Sequence, residues 1–176
     1  MDRRVFLFSG AVLLAGISSR ALAQAGAGCS GFRWDVAAEM ALFQGQAAAL
    51  PAGSTAAATP LIRTGQLYEV QLAPREKMEF VLPPARPPRS EGSHAGMLRL
   101  RVATAGRYRV SLGAHAWVDM AVAGQLLPTA DFQGVQGCMP NKIVMFDIPA
   151  DSDVILQLSG HPDASIRVAV TAAAGG

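Results

Sequence analysis

The sequence has few of the side chains from which enzymes usually build active sites. Its 176 residues include three histidines and two cysteines, and aromatic side chains make up 6%. It contains no Gly-x-Ser-x-Gly turn, no glycine-rich phosphate loop and no Cys-x-x-Cys pair. These absences argue against serine or cysteine hydrolases, nucleotide-binding enzymes and thiol redox enzymes.

The histidines are also far apart in the sequence. They are His94, His115 and His161, with no close His-x-His or His-x-Asp pair. Non-haem iron requires two histidines and a carboxylate on one face of a site. We therefore predict no metal and no cofactor, and if a metal site exists, its best candidate ligands are His94, His115 and Asp119.

The apolar run near the N-terminus is too short for a membrane span, which needs about 20 residues. It extends from Val5 to Ile17, follows Arg3 and Arg4, and precedes a small-residue site that ends at Ala23. These are the three parts of an export signal. We predict cleavage near Ala23, a periplasmic or secreted protein, and no membrane span in the mature chain.

The route of export has two interpretations. The segment "DRRVFLF" resembles the twin-arginine signature, which directs export of proteins that are already folded. Asp2 stands where that signature usually has Ser or Thr, so the general secretory route remains open.

The charge of the chain gives no indication of a nucleic-acid partner. Lys and Arg number 15 against 13 Asp and Glu, and removal of residues 1–23 would leave the two signs equal. Basic residues are concentrated in residues 75–109 and aspartates in residues 110–176. We expect the two regions to form cross-strand ion pairs.

Cys29 and Cys138 both lie in the part predicted to be exported. An even pair in an oxidising compartment predicts a disulfide, which would join the N-terminal segment to the rest of the fold. A lipid anchor on Cys29 is the alternative, although "GAGC" lacks the leucine usual three residues before the modified cysteine.

The chain divides into residues 1–23 (export signal), 24–60 (helix and linker) and 61–176 (β-sandwich domain). The stretch "FRWDVAAEMALFQGQ" predicts a short amphipathic helix, and residues 47–60 predict an unpacked surface linker. The predicted apolar face of the helix consists of Trp34, Ala37, Ala38, Ala41 and Leu42.

From residue 67 onward the hydrophobic period is two, which is typical of strands. The predicted strands are Leu67–Leu72, Met78–Leu82, Met97–Val102, Tyr108–Leu112, Ala116–Val122, Ile143–Ile148, Val154–Leu158 and Ile166–Val170. Gly, Pro, Asn and Asp turns separate them, and no crossover helix intervenes. This pattern predicts a mainly β fold, an antiparallel two-sheet sandwich of jelly-roll type with one short N-terminal helix.

The segment "GAHAWVDMAV" supplies the candidate site. In an extended strand, Ala114, Ala116, Val118, Met120 and Val122 share the core face, and His115, Trp117, Asp119 and Ala121 share the other. Trp117 between two polar side chains forms a platform on which a sugar or aromatic ring would stack. Alternatively, the N-terminal helix or the loop "LPPARPPRSEGSHAG", which carries His94, covers this face and buries Trp117.

Two resemblances add to this interpretation. Gly106, Tyr108, Asp119 and the "LSG" of residues 158–160 resemble the C-terminal β-sandwich modules of secreted bacterial peptidases and carbohydrate-binding sandwiches. The segments "GFRW", "AWVD", "GVQGC" and "LQLSG" resemble a family of short exported bacterial proteins, some of which are named homogentisate dioxygenase. The first resemblance implies an accessory module, and the second would imply an oxygenase only if the name applies, because true homogentisate dioxygenases are much longer cytoplasmic chains.

Together these features predict a non-enzymatic binding or accessory module in the periplasm. Its partner would be a small molecule or an envelope protein, with His94, His115, Trp117 and Asp119 as candidate ligand-binding residues. One alternative is a small metal-dependent oxygenase that uses the histidines. The other is a structural protein of the cell envelope without a small ligand.

Overall fold

The computed structural model describes residues 29–87 and 91–173. The predicted signal peptide lies outside these residues, so its cleavage and the export route stay predictions. The elements are 3₁₀ turns at Cys29–Gly31 and Arg75–Lys77, helix α1 (Ala37–Phe43), and strands β1 (Ala48–Pro51), β2 (Leu61–Ile62), β3 (Leu67–Gln71), β4 (Ala73–Pro74), β5 (His94–Val102), β6 (Gly106–Leu112), β7 (Trp117–Val122), β8 (Gln125–Leu126), β9 (Thr129–Gly134), β10 (Lys142–Ile148), β11 (Ser152–His161) and β12 (Ser165–Ala172).

Two sheets form a sandwich, as the sequence predicted. Sheet A has the order β1-β3-β12-β6-β10-β9, and sheet B has the order β2-β5-β11-β7-β8, with β4 also paired to β5. The pairs β3–β12, β5–β11, β6–β10 and β7–β8 are nested along the chain, which is the connectivity of a jelly roll. The pairs β1–β3 and β2–β5 are parallel, so both sheets are mixed rather than wholly antiparallel.

The hydrophobic core lies between the sheets and follows the predicted alternation. On the core side, Ala116 just before β7 and Val118 and Met120 of β7 are buried, as are Leu98, Leu100 and Val102 of β5. Ala114 and Val122 pack against the same core while partly exposed. The core side of "GAHAWVDMAV" is therefore confirmed.

The predicted strand Met78–Leu82 is wrong. After the 3₁₀ turn, this segment is irregular and lies on the outer face of sheet B instead of joining a sheet. Its alternating apolar residues resembled a strand because Met78, Phe80 and Leu82 all pack against that face. Its backbone bonds elsewhere, for example from the Glu79 N–H to the Ser54 carbonyl at 2.8 Å.

The predicted linker is partly incorporated into the sandwich. Strand β1 pairs with β3, and Gly53 forms a two-way backbone bridge with Met97. Gly96 makes this approach possible, because a Cβ at that position would collide with the Ala52 side chain. Small residues here indicate close packing of backbone on a sheet, which composition alone did not distinguish from a linker.

The helix forms where predicted, but its buried face differs from the prediction. Val36, Glu39 and Phe43 are buried, whereas Ala37, Ala38 and Ala41 are exposed and Trp34 and Leu42 are half-buried. Glu39 is 2% exposed because the Thr171 hydroxyl donates to it at 2.7 Å and Arg109 at 3.3 Å. A buried charge with partners of this kind is tolerated. The helix therefore packs with the face that contains Glu39, and not with the face that hydrophobicity predicted.

The predicted disulfide is confirmed. Cys29 and Cys138 are bonded with a Cα–Cα distance of 5.5 Å, which joins the N-terminal segment to the turn after β9.

The expected cross-strand ion pairs are present as well. Arg107 on β6 lies 3.1 Å from Asp147 on β10, and Arg99 on β5 lies 3.7 Å from Asp153 on β11. None of the helices in the described residues is long and apolar enough to cross a membrane.

Candidate functional site

The outer face of sheet B carries the candidate site. Strand register places Gln157 of β11 between Met97 of β5 and Asp119 of β7, and it places Ser159 beside Trp117. These polar side chains lie on the same face as the apolar side chains of Met97, Ala121 and Ile155. Because side chains of a strand alternate, these residues point away from the core between the sheets.

A segment that we call the strap, Met78–Pro87, covers this face. Its apolar side chains pack on the sheet, and the Gln157 side chain holds its backbone. The Gln157 Oε1 accepts the Leu82 N–H at 3.2 Å, and Gln157 Nε2 donates to the Leu82 carbonyl at 3.0 Å. The Gln157 amide thus supplies the two hydrogen bonds that a neighbouring strand would otherwise make with the Leu82 backbone.

Asp119 holds the strap at a second point, three residues further along. Its Oδ2 accepts the Ala85 N–H at 3.1 Å, and its Oδ1 accepts the Trp117 indole N–H at 2.9 Å. Burial raises the pKa of the Asp119 carboxyl, against the two hydrogen bonds and the charge of Lys142, which lower it. One buried carboxylate therefore fixes both the strap and the indole ring.

Two cations lie against the ring of Trp117. The guanidinium carbon of Arg86 is 4.7 Å from the ring centroid, and the ammonium nitrogen of Lys142 is 5.5 Å from it. The Lys142 ammonium also donates to the Ala116 carbonyl at 2.7 Å. Burial lowers the pKa of Lys142, the positive charge of Arg86 lowers it further, and Asp119 opposes both. We call Arg86, Trp117, Asp119 and Lys142 the Trp117 cluster.

The cluster lies between the two predicted arrangements. Trp117 is half-buried, so it is neither an open stacking platform nor a fully covered core residue. The strap covers this face, as the alternative interpretation predicted, but it buries Asp119 and leaves Trp117 half-buried, and it brings Arg86 against the ring. Cation–π contacts of this kind position charge next to an aromatic surface, and this arrangement suits recognition of a charged ligand.

The two histidine candidates, His94 and His115, lie at or next to the starts of β5 and β7. His94 begins β5, and its Nδ1 is 3.1 Å from the Pro162 carbonyl oxygen. The side chain of His115 is exposed just before β7, and its carbonyl oxygen is 3.0 Å from Nδ1 of the buried His161. Within residues 29–87 and 91–173, no three His, Cys, Asp or Glu side chains are grouped to hold a metal ion. The structure therefore does not group His94, His115 and Asp119 as ligands of one metal ion.

Sequence reasoning missed three residues of this region. Gln157 could have been found, because it is a polar residue on the outer face of the apolar strand "VILQLSG". Arg86 and Lys142 come from the strap and from β10, in different parts of the chain, and only the fold brings them to Trp117. The strand pattern carries no information about such a meeting.

Comparisons of the chain with family models, with curated proteins and with solved structures found no match. The resemblances stated from the sequence stay predictions, and the geometry of the Trp117 cluster carries the functional argument.

Proposed function

We propose that this protein is a non-enzymatic binding or accessory module that acts in the periplasm or outside the cell and binds a small molecule at the Trp117 cluster. The observation that carries the proposal is the fixed position of Trp117. Its indole N–H is bonded to a buried carboxylate, which is bonded in turn to the strap. A ring held in this way pays little ordering entropy when a ligand binds.

The proposed location rests on two independent features. The N-terminal segment has the three parts of an export signal. The structure contains a disulfide between Cys29 and Cys138, and such bonds are typical of oxidising compartments.

Thermal unfolding with a ligand panel tests the function. The panel contains neutral sugars, acidic sugars, aromatic acids and aromatic alcohols. A ligand at a hundred times its Kd stabilises the folded state by about 2.7 kcal/mol and raises Tm by several degrees. We expect this rise in the wild type and in Trp34→Phe, the matched control, and no rise in Trp117→Leu relative to its own Tm.

Two results would contradict the proposal. One is a panel in which no compound raises Tm, and the other is a rise that persists in Trp117→Leu. The ligand that binds is then incubated with the protein and examined by mass spectrometry. Recovery of the unchanged compound supports a binding module, whereas conversion would show an enzyme.

A further inference from the structure

We propose that the ligand of the Trp117 cluster carries a carboxylate, as an acidic sugar does, and that Arg86 and Lys142 bind it. This inference rests on the proposed function and names the chemical class of its ligand.

A second tryptophan of the same protein shows what the Trp117 cluster lacks. The guanidinium carbon of Arg109 lies 5.3 Å from the ring centroid of Trp34, much as Arg86 lies against Trp117. There the chain supplies a carboxylate of its own, because Glu39 accepts a hydrogen bond from Arg109 at 3.3 Å. That cluster is complete in its charges, and it attaches helix α1 to sheet A.

The Trp117 cluster has two cations, and its own carboxylate, Asp119, forms no ion pair with either of them. Among the described residues, neither Arg86 nor Lys142 takes part in an ion pair within 4.0 Å. Asp119 is the carboxylate whose charge acts on Lys142, and its two oxygens accept the Trp117 and Ala85 N–H groups. An external carboxylate would supply the missing negative charge.

The electrostatics of Lys142 agree with this geometry. Its pKa is lowered first by burial and then by the charge of Arg86, so the two cations destabilise each other. A carboxylate near both would remove that repulsion. Charge-assisted hydrogen bonds from guanidinium and ammonium groups to carboxylates are also about twice as strong as neutral ones.

Access to the two cations fits a ligand that arrives from solvent. Arg86 is exposed on the strap, and Lys142 is half-buried at the start of β10. The guanidinium can bind a carboxylate through two parallel hydrogen bonds, whereas the ammonium acts as a point charge. A ligand that contacts both Arg86 and Lys142 would connect the strap to the start of β10 in sheet A.

Calorimetry with matched compounds tests the inference. Galacturonate and galactose differ in the carboxylate, as do benzoate and benzyl alcohol. We expect at least one acid to bind at least tenfold more tightly than its neutral partner. Arg86→Gln should weaken binding of that acid about tenfold or more, because it removes a charge-assisted contact. Arg86→Lys, which keeps the charge, should retain part of the affinity, and Lys77→Gln, at an exposed lysine of the 3₁₀ turn, should retain all of it.

Arg86 is the decisive position because its side chain is exposed, whereas Lys142 is half-buried and also donates to the Ala116 carbonyl. Equal affinity for the acid and its neutral partner would overturn the carboxylate inference and leave the proposed function intact. Binding of an acid that is unchanged in Arg86→Gln would overturn it too. Failure of all four compounds also overturns it, and the wider thermal panel then decides the proposed function separately.

Discussion

Replacement of Gln157 by alanine should release the strap from sheet B. Gln157 is 1% exposed, and its amide makes two hydrogen bonds to the backbone of Leu82. Alanine cannot replace either bond, so the Leu82 N–H and carbonyl lose their partners beneath the strap. If the strap lifts so that water reaches the Leu82 N–H and carbonyl, the packing of Phe80 and Leu82 against the sheet weakens.

The expected loss of stability follows from these two bonds. A buried polar group left without a partner costs about 1 to 3 kcal/mol. Because lifting of the strap lets water reach the two groups, we expect the low end for each, and a fall of about 2 kcal/mol in the free energy of unfolding. For a domain of this size that corresponds to a fall of about 4 to 8 °C in Tm.

Urea unfolding and amide hydrogen exchange measure the effect of Gln157→Ala. The Leu82 amide should exchange faster, and acid ligands should bind more weakly, because the strap also positions Arg86. Gln125→Ala is the control, since Gln125 is an exposed glutamine of β8 in the same sheet. A change below about 0.5 kcal/mol, the usual range of surface substitutions, with unchanged Leu82 exchange would refute the reasoning.

Three further predictions concern charge and cross-links. The Lys142 pKa should lie below its usual value, and Arg86→Gln should raise it, which an NMR titration of the lysine side chain measures; an unchanged pKa contradicts the charge coupling. Because folding lowers the Lys142 pKa, the contribution of Lys142 to the free energy of unfolding is fully present above the usual lysine pKa. It is lost as pH falls through the lowered pKa of the folded state. Glu39→Gln should lower the free energy of unfolding in urea by about 2 kcal/mol, because Arg109 loses its charged hydrogen-bond partner. An unchanged free energy of unfolding would show that the pair is dispensable. Reduction of the disulfide should lower the free energy of unfolding by about 4 to 5 kcal/mol, because the bond closes a loop of 109 residues. An unchanged unfolding midpoint in reducing buffer would contradict this value.

The period of two was sufficient to predict the sandwich and the core face of β7. Ala116, Val118 and Met120 are apolar at every second position, and the structure buries all three. The disulfide followed from a count of two cysteines, because the only intramolecular pair available was Cys29 with Cys138.

The failures have a common physical cause, which is packing between distant parts of the chain. The predicted apolar face of α1 omitted Glu39 because its partners, Arg109 and Thr171, are far away in sequence. Met78–Leu82 was assigned to a strand because packing on the face of a sheet imposes the same alternation as pairing within one. Local sequence patterns therefore predict the strands and the helix well, but they predict poorly which segments pack on these elements.

The most direct test of the proposed site is the pair of indole N–H resonances in NMR titrations with galacturonate and with benzoate. The chain has two tryptophans, so Trp34 serves as an internal reference, and Trp34→Phe assigns the two signals. If the Trp117 cluster binds a carboxylate, the Trp117 signal shifts in a saturable way while the Trp34 signal stays in place. A Trp117 signal that neither acid moves, or equal shifts of both signals, would contradict the assignment of the site.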